Sequence, residues 1–307
     1  MIEPLQDIMR QWGMEPASME TLLLHPNVTK VKAEGKTFYL KRREYSSIEN
    51  RMEELYLTSY LINNHLKVET PILTSSHLPY VKEGEQLYSF YEALEGMPLK
   101  EFSIDSLTKA GTNLSTLHLI LKEYQCHNEV KGWEIERHVR EWVNELNSES
   151  IGRRGQVILS KMRGWGTSFE CLPHQIVHSD YNPGNILMQG GEVSGIIDFE
   201  RILTAPRITD IGYFLAGMLK RIPAEKKDHS IKGIRFFIQG YGKHEPLTAG
   251  ERRMLPAIVI LFLLQHAFFY FQQGYSEASS SCMDFIEEMI ESAYFHEVFQ
   301  YEKEKLE

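Results

Sequence analysis

Residues 175–200 read QIVHSDYNPGNILMQGGEVSGIIDFE, and their pattern decides the fold. β-prone residues run into His178, and a polar loop punctuated by Pro183 and Gly184 follows. Then NILMQ, the pair Gly190-Gly191 and EVSGIIDF make the pattern of a tight hairpin. With the two glycines as central turn residues, Asn185 faces Ile196 and Pro183 faces Asp198. Facing residues, and residues two apart along a strand, project to one side of a sheet. Asn185 and Asp198 are then diagonal neighbours, roughly 7 Å apart at the backbone. An amide oxygen and a carboxylate converging from there suit Mg²⁺, which keeps its other positions for water and phosphate oxygens. Asp180 stands earlier, in the loop, outside the hairpin ladder. A base that accepts a hydroxyl proton during phosphoryl transfer needs that placement. An isolated HxD or DF pair means little, whereas H-x-D-x-x-x-x-N, a hairpin and IIDF in succession form a specific pattern.

Upstream, a short amphipathic helix is expected at 4–13. Residues 20–42 alternate in the β manner, with Glu34-Gly35 turning between two strands. Residues 47–63 have helical apolar spacing, and VETPILTS and QLYSFYEAL read as extended. Glu95-Gly96-Met97-Pro98 ends the β character. Helices are expected at 104–124, 132–148, 154–164, 207–220, 226–242, 248–272 and 276–302. The fold class is α+β in two lobes: a small β-rich lobe over 1–92 and a large, mainly helical lobe over 93–307, with a linker near 92–96.

The apolar run MLPAIVILFLLQHAFFYF at 254–271 raises the question of a membrane. A spanning helix needs about 20 mostly apolar residues. This run is slightly short, carries Pro256, Gln265 and His266, and follows a capping box at Thr248-x-x-Glu251. It is read as a buried helix of the large lobe, with no membrane partner.

The chain has 307 residues, 42% of them apolar and 24% charged, an ordinary globular composition. Its formal charge of -9 is the opposite of a nucleic-acid-binding surface. Cys126, Cys171 and Cys282 are far apart and odd in number, with neither disulfide-framework nor zinc spacing. The first residues lack a basic stretch followed by an apolar one, so no secretion signal is expected and the cytoplasm is the expected location.

HSDYNPGNIL followed by GIIDFE resembles the catalytic loop and metal-binding segment of the aminoglycoside phosphotransferase and choline-kinase-like family. Its members are small-molecule kinases with a protein-kinase fold. TFYLKR resembles the strand that carries the nucleotide-phosphate lysine, FYEALEGMPL the hinge between lobes, AGTNLSTLH the first large-lobe helix, and PRITDIGYFL the segment that braces the catalytic loop. The resemblance spans roughly residues 25–275. It implies ATP and Mg²⁺ as cofactors, a small hydroxylated acceptor, Asp180 as base, and Asn185 and Asp198 as metal ligands. It implies that Lys41 contacts phosphate and is held by an acidic residue of the next helix. Glu54 is the first choice for that residue, with Glu53 and Glu49 as alternatives. It implies that the backbone of Glu92, Ala93 and Leu94 holds adenine, and that His178 and Asp210 support the loop. The plain alternatives are a solvated strand lysine for Lys41, set beside Arg42 and Arg43, and a helix cap for Asp210.

Three features depart from the family. Ser179 and Glu200 stand where glycine is usual or frequent, and no glycine-rich loop precedes Lys41. Weak, metal-dependent nucleotide binding is therefore expected. Two functions stay open: an active small-molecule kinase, and a catalytically weak or inactive kinase fold with a structural role. The second follows from the likeness to the CotS-type spore-coat branch, which implies other spore-coat proteins as partners and the coat as location. A metal-dependent hydrolase built on His178 and Asp180 would want more histidines at ligand spacing. Acceptor identity and oligomeric state are not readable.

Overall fold

The computed structural model describes residues 3–43, 46–162, 169–221 and 227–299. Helix α1 (Glu3–Arg10) lies against an antiparallel sheet of β1 (Ser18–Leu22), β2 (His25–Ala33), β3 (Lys36–Arg43), β4 (Val81–Glu83) and β5 (Gln86–Glu92), in the order β1-β2-β3-β5-β4. Apolar residues on one face (Val31, Phe38, Leu40, Phe90) close over Ile8, Met9 and Trp12 to form the small lobe's own core. Helix α2 (Ile48–Asn63) follows β3 and opens on a Ser47 cap that accepts from the Asn50 amide. Two expected strands are in fact three: residues 20–33 turn back on themselves at Leu23-Leu24, between β1 and β2.

The large lobe begins with β6 (Met97–Pro98) and α3 (Ile104–Lys122), followed by α4 (Ile135–Glu145), α5 (Ser150–Met162) and β7 (His174–Val177). Then come β8 (Ile186–Gln189), β9 (Glu192–Ile196), β10 (Leu203–Pro206), α6 (Ile208–Arg221), α7 (Lys227–Tyr241), α8 (Ala249–Gln272), α9 (Ser276–Glu291) and α10 (Ala293–Phe299). The expected helix 276–302 breaks at Ser292, whose backbone is extended, and its last residues lie outside the described segments, as do parts of those expected at 154–164 and 226–242. The α3 stripe Leu107, Leu114, Leu117 and Leu121 is buried. At Gly111 an added Cβ would stand 2.1 Å from the Phe237 carbonyl oxygen, so α3 and α7 touch backbone to backbone. Helix α8 is capped as its sequence indicates: Thr248 and Glu251 bond reciprocally at 3.2 and 2.8 Å. Its residues Met254 through Leu264 are all buried, packed against α6 and α9.

Candidate active site

The loop that follows β7 hangs from two supports. Below it, Asp210 in the first turn of α6 is fully buried and accepts from the His178 and Ser179 amides at 2.8 and 2.7 Å. His118 of α3 closes the brace, with Nε2 3.0 Å from Asp210 and Nδ1 2.8 Å from the Tyr241 hydroxyl. The second support is His178 itself. Its Nδ1 accepts from the Asp180 amide at 3.2 Å, so Nε2 carries the hydrogen and donates to the Ile197 carbonyl at 3.1 Å. Phe199 packs on the ring at 4.4 Å. Ser179, in place of the usual glycine, adopts a left-handed φ of 59°, which costs a side-chain-bearing residue about 1 kcal/mol. Its hydroxyl bonds to the Arg201 carbonyl, anchoring the strained position.

Asp180 is half-buried, and both its oxygens accept: from Asn182 Nδ2 at 3.0 Å and from Asn185 Nδ2 at 3.1 Å. Burial pushes the Asp180 carboxyl above its ordinary range, and the nearby Asp198 charge adds to the rise. Tyr213, one turn after Asp210 on α6, lies beside Asp180, and burial together with that carboxylate raises its hydroxyl pKa. It is a site residue that sequence reasoning missed, although the i+3 spacing from Asp210 was visible.

The hairpin register differs from expectation. Met188 pairs with Val193 as the turn dictates, but Leu187 pairs with Gly195, leaving Ser194 as a bulge. The Ser194 hydroxyl donates to the Glu95 carbonyl at 2.7 Å, and this bond to the linker takes it out of the ladder. Asn185 consequently lies opposite Ile197, whose amide donates to its carbonyl at 3.0 Å, and the expected Asn185–Ile196 and Pro183–Asp198 pairs do not form. Asp198 leaves the strand in a left-handed conformation, φ 73°.

Lys41 reaches Asp198 across the lobes, Nζ to Oδ1 at 3.3 Å, over the Tyr91 ring at 4.7 Å. Its closest partner is Glu69, at 2.6 Å, not Glu54. Glu54 is instead held by Arg51 and by the Tyr91 hydroxyl, and Glu53 accepts from Tyr124 and from the backbone of His127 and Asn128. Glu49 lies exposed at the start of α2. The physical reason is a strand-like approach of residues 67–69 to β9. The Glu69 amide donates to the Ile196 carbonyl at 2.9 Å, and the Ile196 amide to the Lys67 carbonyl at 3.1 Å. That seats the Glu69 carboxylate where it meets Lys41 and the Asp198 amide, the latter at 3.1 Å. Burial opposes the charge on Lys41, but Glu69 and Asp198 outweigh it and raise its pKa. Burial likewise opposes ionisation of Asp198, and Lys41 with Arg43 reverses the effect, holding it well below the usual carboxylate range.

At the linker, Glu92 is exposed and pairs with Lys36 at 2.8 Å. Ala93 commits its amide to the Thr37 carbonyl at 3.0 Å, which leaves its carbonyl for a ligand. Leu94 packs over Gly195, where an added Cβ would meet its Cδ1 at 2.8 Å, so a side chain there would push the Leu94 tip aside.

The donor set fits a divalent cation. The Asn185 amide nitrogen is committed to Asp180, so its oxygen is the end left for a ligand. Asp198 supplies an ionised carboxylate. Lys41 and Arg43 against Glu69, Asp198 and Glu200 leave the cluster one negative charge in excess.

The sequence profile of the phosphotransferase enzyme family (APH) matches residues 25–247. The chain belongs to that family. Among curated relatives, the homoserine kinase of Bradyrhizobium sp. (strain BTAi1) is 24% identical over 182 residues, 56% of this chain and 53% of that protein. The chain thus spans about half the length of the first curated relative it matches. The homoserine kinase of Methylocella silvestris is 24% identical over 267 residues, 79% of this chain and 81% of the relative. Solved structures with the same fold include an amicoumacin kinase in complex with AMP-PNP and Ca²⁺. That structure has a TM-score of 0.78 and 19% identity, and the match covers 97% of this chain and 96% of the other. A microcompartment-associated aminopropanol kinase has a TM-score of 0.72 and 15% identity, over 98% of this chain and 97% of the other. This family member has the two-lobed protein-kinase-like architecture.

Proposed function

We propose that the chain transfers the terminal phosphoryl group of ATP, with Mg²⁺, to a hydroxyl of a small molecule in the cytoplasm. The observation that carries this reading is the meeting of Lys41 and Asp198 at 3.3 Å across the lobes, beside the raised, amide-held carboxylate of Asp180. Residues 1–92 act as the nucleotide lobe, with adenine on the backbone of Glu92 to Leu94, and residues 93–307 as the catalytic and acceptor lobe. Asn185 and Asp198 would hold the divalent cation, which when bound supplies charge neutralisation for the phosphates. Lys41, oriented by Glu69, holds nucleotide phosphate. Asp180 receives the acceptor's hydroxyl proton, and its raised pKa makes it a better base than an ordinary aspartate. The Asn182 and Asn185 amides aim its oxygens, and Asp210 fixes the loop on which it sits.

The relatives named above as homoserine and aminopropanol kinases support a small hydroxylated acceptor, and both compounds belong in the first screen. Phosphorus NMR of ATP, Mg²⁺ and each compound is the test: a growing phosphomonoester signal that Asp180→Asn abolishes is the expected result. ADP formation at equal rates in the wild type and Asp180→Asn would overturn the assignment. One observation favours the second reading to the extent of a catalytically weak fold. The β1–β2 turn, where glycines would let backbone amides approach phosphate, holds Leu23 and Leu24, 100% and 88% exposed.

A further inference from the structure

Two departures from the family pattern meet in one contact. Glu200 stands where glycine is frequent, and the structure pairs it with Arg43. Arg43 follows Lys41 by two positions on β3, so strand alternation gives the two cations one face. Its side chain is 8% exposed, with Nη2 3.3 Å from Asp198 Oδ1, the same oxygen that Lys41 touches at 3.3 Å. The guanidinium also shares the Tyr91 ring with Lys41, at 6.0 Å from its centroid. Its Nε is buried and has no hydrogen-bond partner among the described residues.

A plain counter-ion is the simplest reading of Arg43, but two facts weigh against stopping there. Neutralising Asp198 engages only one Nη of the guanidinium, at 3.3 Å, and does not use the rest of its donor fork toward that carboxylate. A buried donor left unsatisfied beside a ligand site is also unusual, and an arriving anion would complete it. A guanidinium fork matches phosphate better than an ammonium does. Phosphate grip must also come from side chains here, because the β1–β2 turn lacks glycine.

We propose that Arg43 is a second phosphate-binding cation of the nucleotide site. It exchanges its bond to Asp198 for the nucleotide's terminal phosphates when a divalent cation takes that carboxylate, and Glu200 tethers the guanidinium during the exchange. The inference rests on the phosphotransfer reading above. It accounts for Glu200, since glycine at that position would leave the guanidinium held by Asp198 alone.

The exchange predicts changes of opposite sign. ATP is titrated calorimetrically into the wild type, Arg43→Met, Arg43→Lys and Glu200→Gln over a series of Mg²⁺ concentrations, after a melting curve of each. Arg43→Met should weaken ATP at saturating Mg²⁺ by about 10- to 100-fold, the worth of one or two charge-assisted contacts. The same variant should lower the Mg²⁺ concentration giving half-maximal binding, because the competitor for Asp198 is gone. A purely structural arginine would move both quantities toward weaker binding. Arg43→Lys should show the same pattern to a lesser degree, and it decides the matter if Arg43→Met does not fold. Glu200→Gln should weaken ATP less than Arg43→Met, since the guanidinium remains. Unchanged ATP affinity in both Arg43 variants, a raised Mg²⁺ requirement, or a larger loss in Glu200→Gln would overturn the inference alone. A wild-type chain that binds no MgATP would overturn the reading beneath it.

Discussion

Replacing Glu69 by glutamine isolates the charge that orients Lys41. Glu69 is 5% exposed and Lys41 7%, and their 2.6 Å contact is the closest that Lys41 makes in the site. Glutamine keeps the shape, and its oxygen can still accept from the Asp198 amide. Only the charge disappears. Removing one partner of a buried ion pair costs about 3–5 kcal/mol, because the other charge stays buried. Asp198 remains 3.3 Å from Lys41, so the lower end, about 3 kcal/mol, is the appropriate figure. Domains of about 150–250 residues lose roughly 2–4 °C per kcal/mol, so in this longer chain melting without ligand should fall by roughly 6 °C, near the low end. ATP affinity should fall with it, because Lys41 then leans fully on Asp198. The matched control is Glu54→Gln, which strips a partner from Arg51 and Tyr91 but leaves the Lys41–Glu69 contact in place. It should lower melting and spare ATP binding. Scanning calorimetry and ATP titration of both variants decide the matter. Wild-type nucleotide affinity in Glu69→Gln, with a loss in Glu54→Gln, would refute the reasoning and return the role to the helix.

Asp180→Asn should keep the fold and lower turnover by about 10²–10⁴, the usual worth of a general base, and a steady-state assay checks it. Wild-type turnover in that variant would remove Asp180 from the mechanism. Asp210→Asn leaves one of the two loop amides facing a donor, at a cost of about 1–3 kcal/mol; its melting point and turnover should fall while ATP affinity holds. Asp198 has a folded pKa below its unfolded value near 3.9, so its ionisation contributes stability above that pH and loses it as pH falls toward the folded value. The melting gap between wild type and Asp198→Asn should therefore narrow on acidification below about pH 4, and a gap that widens would reverse the sign of the argument.

Part of the candidate site was legible because it is local. Asp180 and Asn185 lie in one loop, where spacing lets Asn185 donate to Asp180, and Asp198 follows the hairpin with its charge felt at Asp180. The hairpin register was not legible in full, since the Ser194 bulge is set by a bond to Glu95 from a distant part of the chain. Glu69 carried no periodic signal. It belongs to no helix or strand and reaches Lys41 only because residues 67–69 bond to β9. Looking for a partner on the next helix led to Glu54, which faces Arg51 and Tyr91 instead. The β1–β2 turn was hidden by its own residues, because Leu22, Leu23 and Leu24 read as strand interior while two of them are fully or largely exposed. Helix α8, by contrast, was framed by its capping box, and its apolar run is explained by burial on nearly every side.

The central claim is that Lys41, Asn185 and Asp198 form one metal-dependent nucleotide site. Calorimetric titration of ATP into the wild type and Asp198→Ala, with Mg²⁺ and with EDTA, tests it most directly. Binding near millimolar should require Mg²⁺ and disappear in a folded Asp198→Ala chain. Equal binding with and without the metal, or binding that survives in Asp198→Ala, would contradict it.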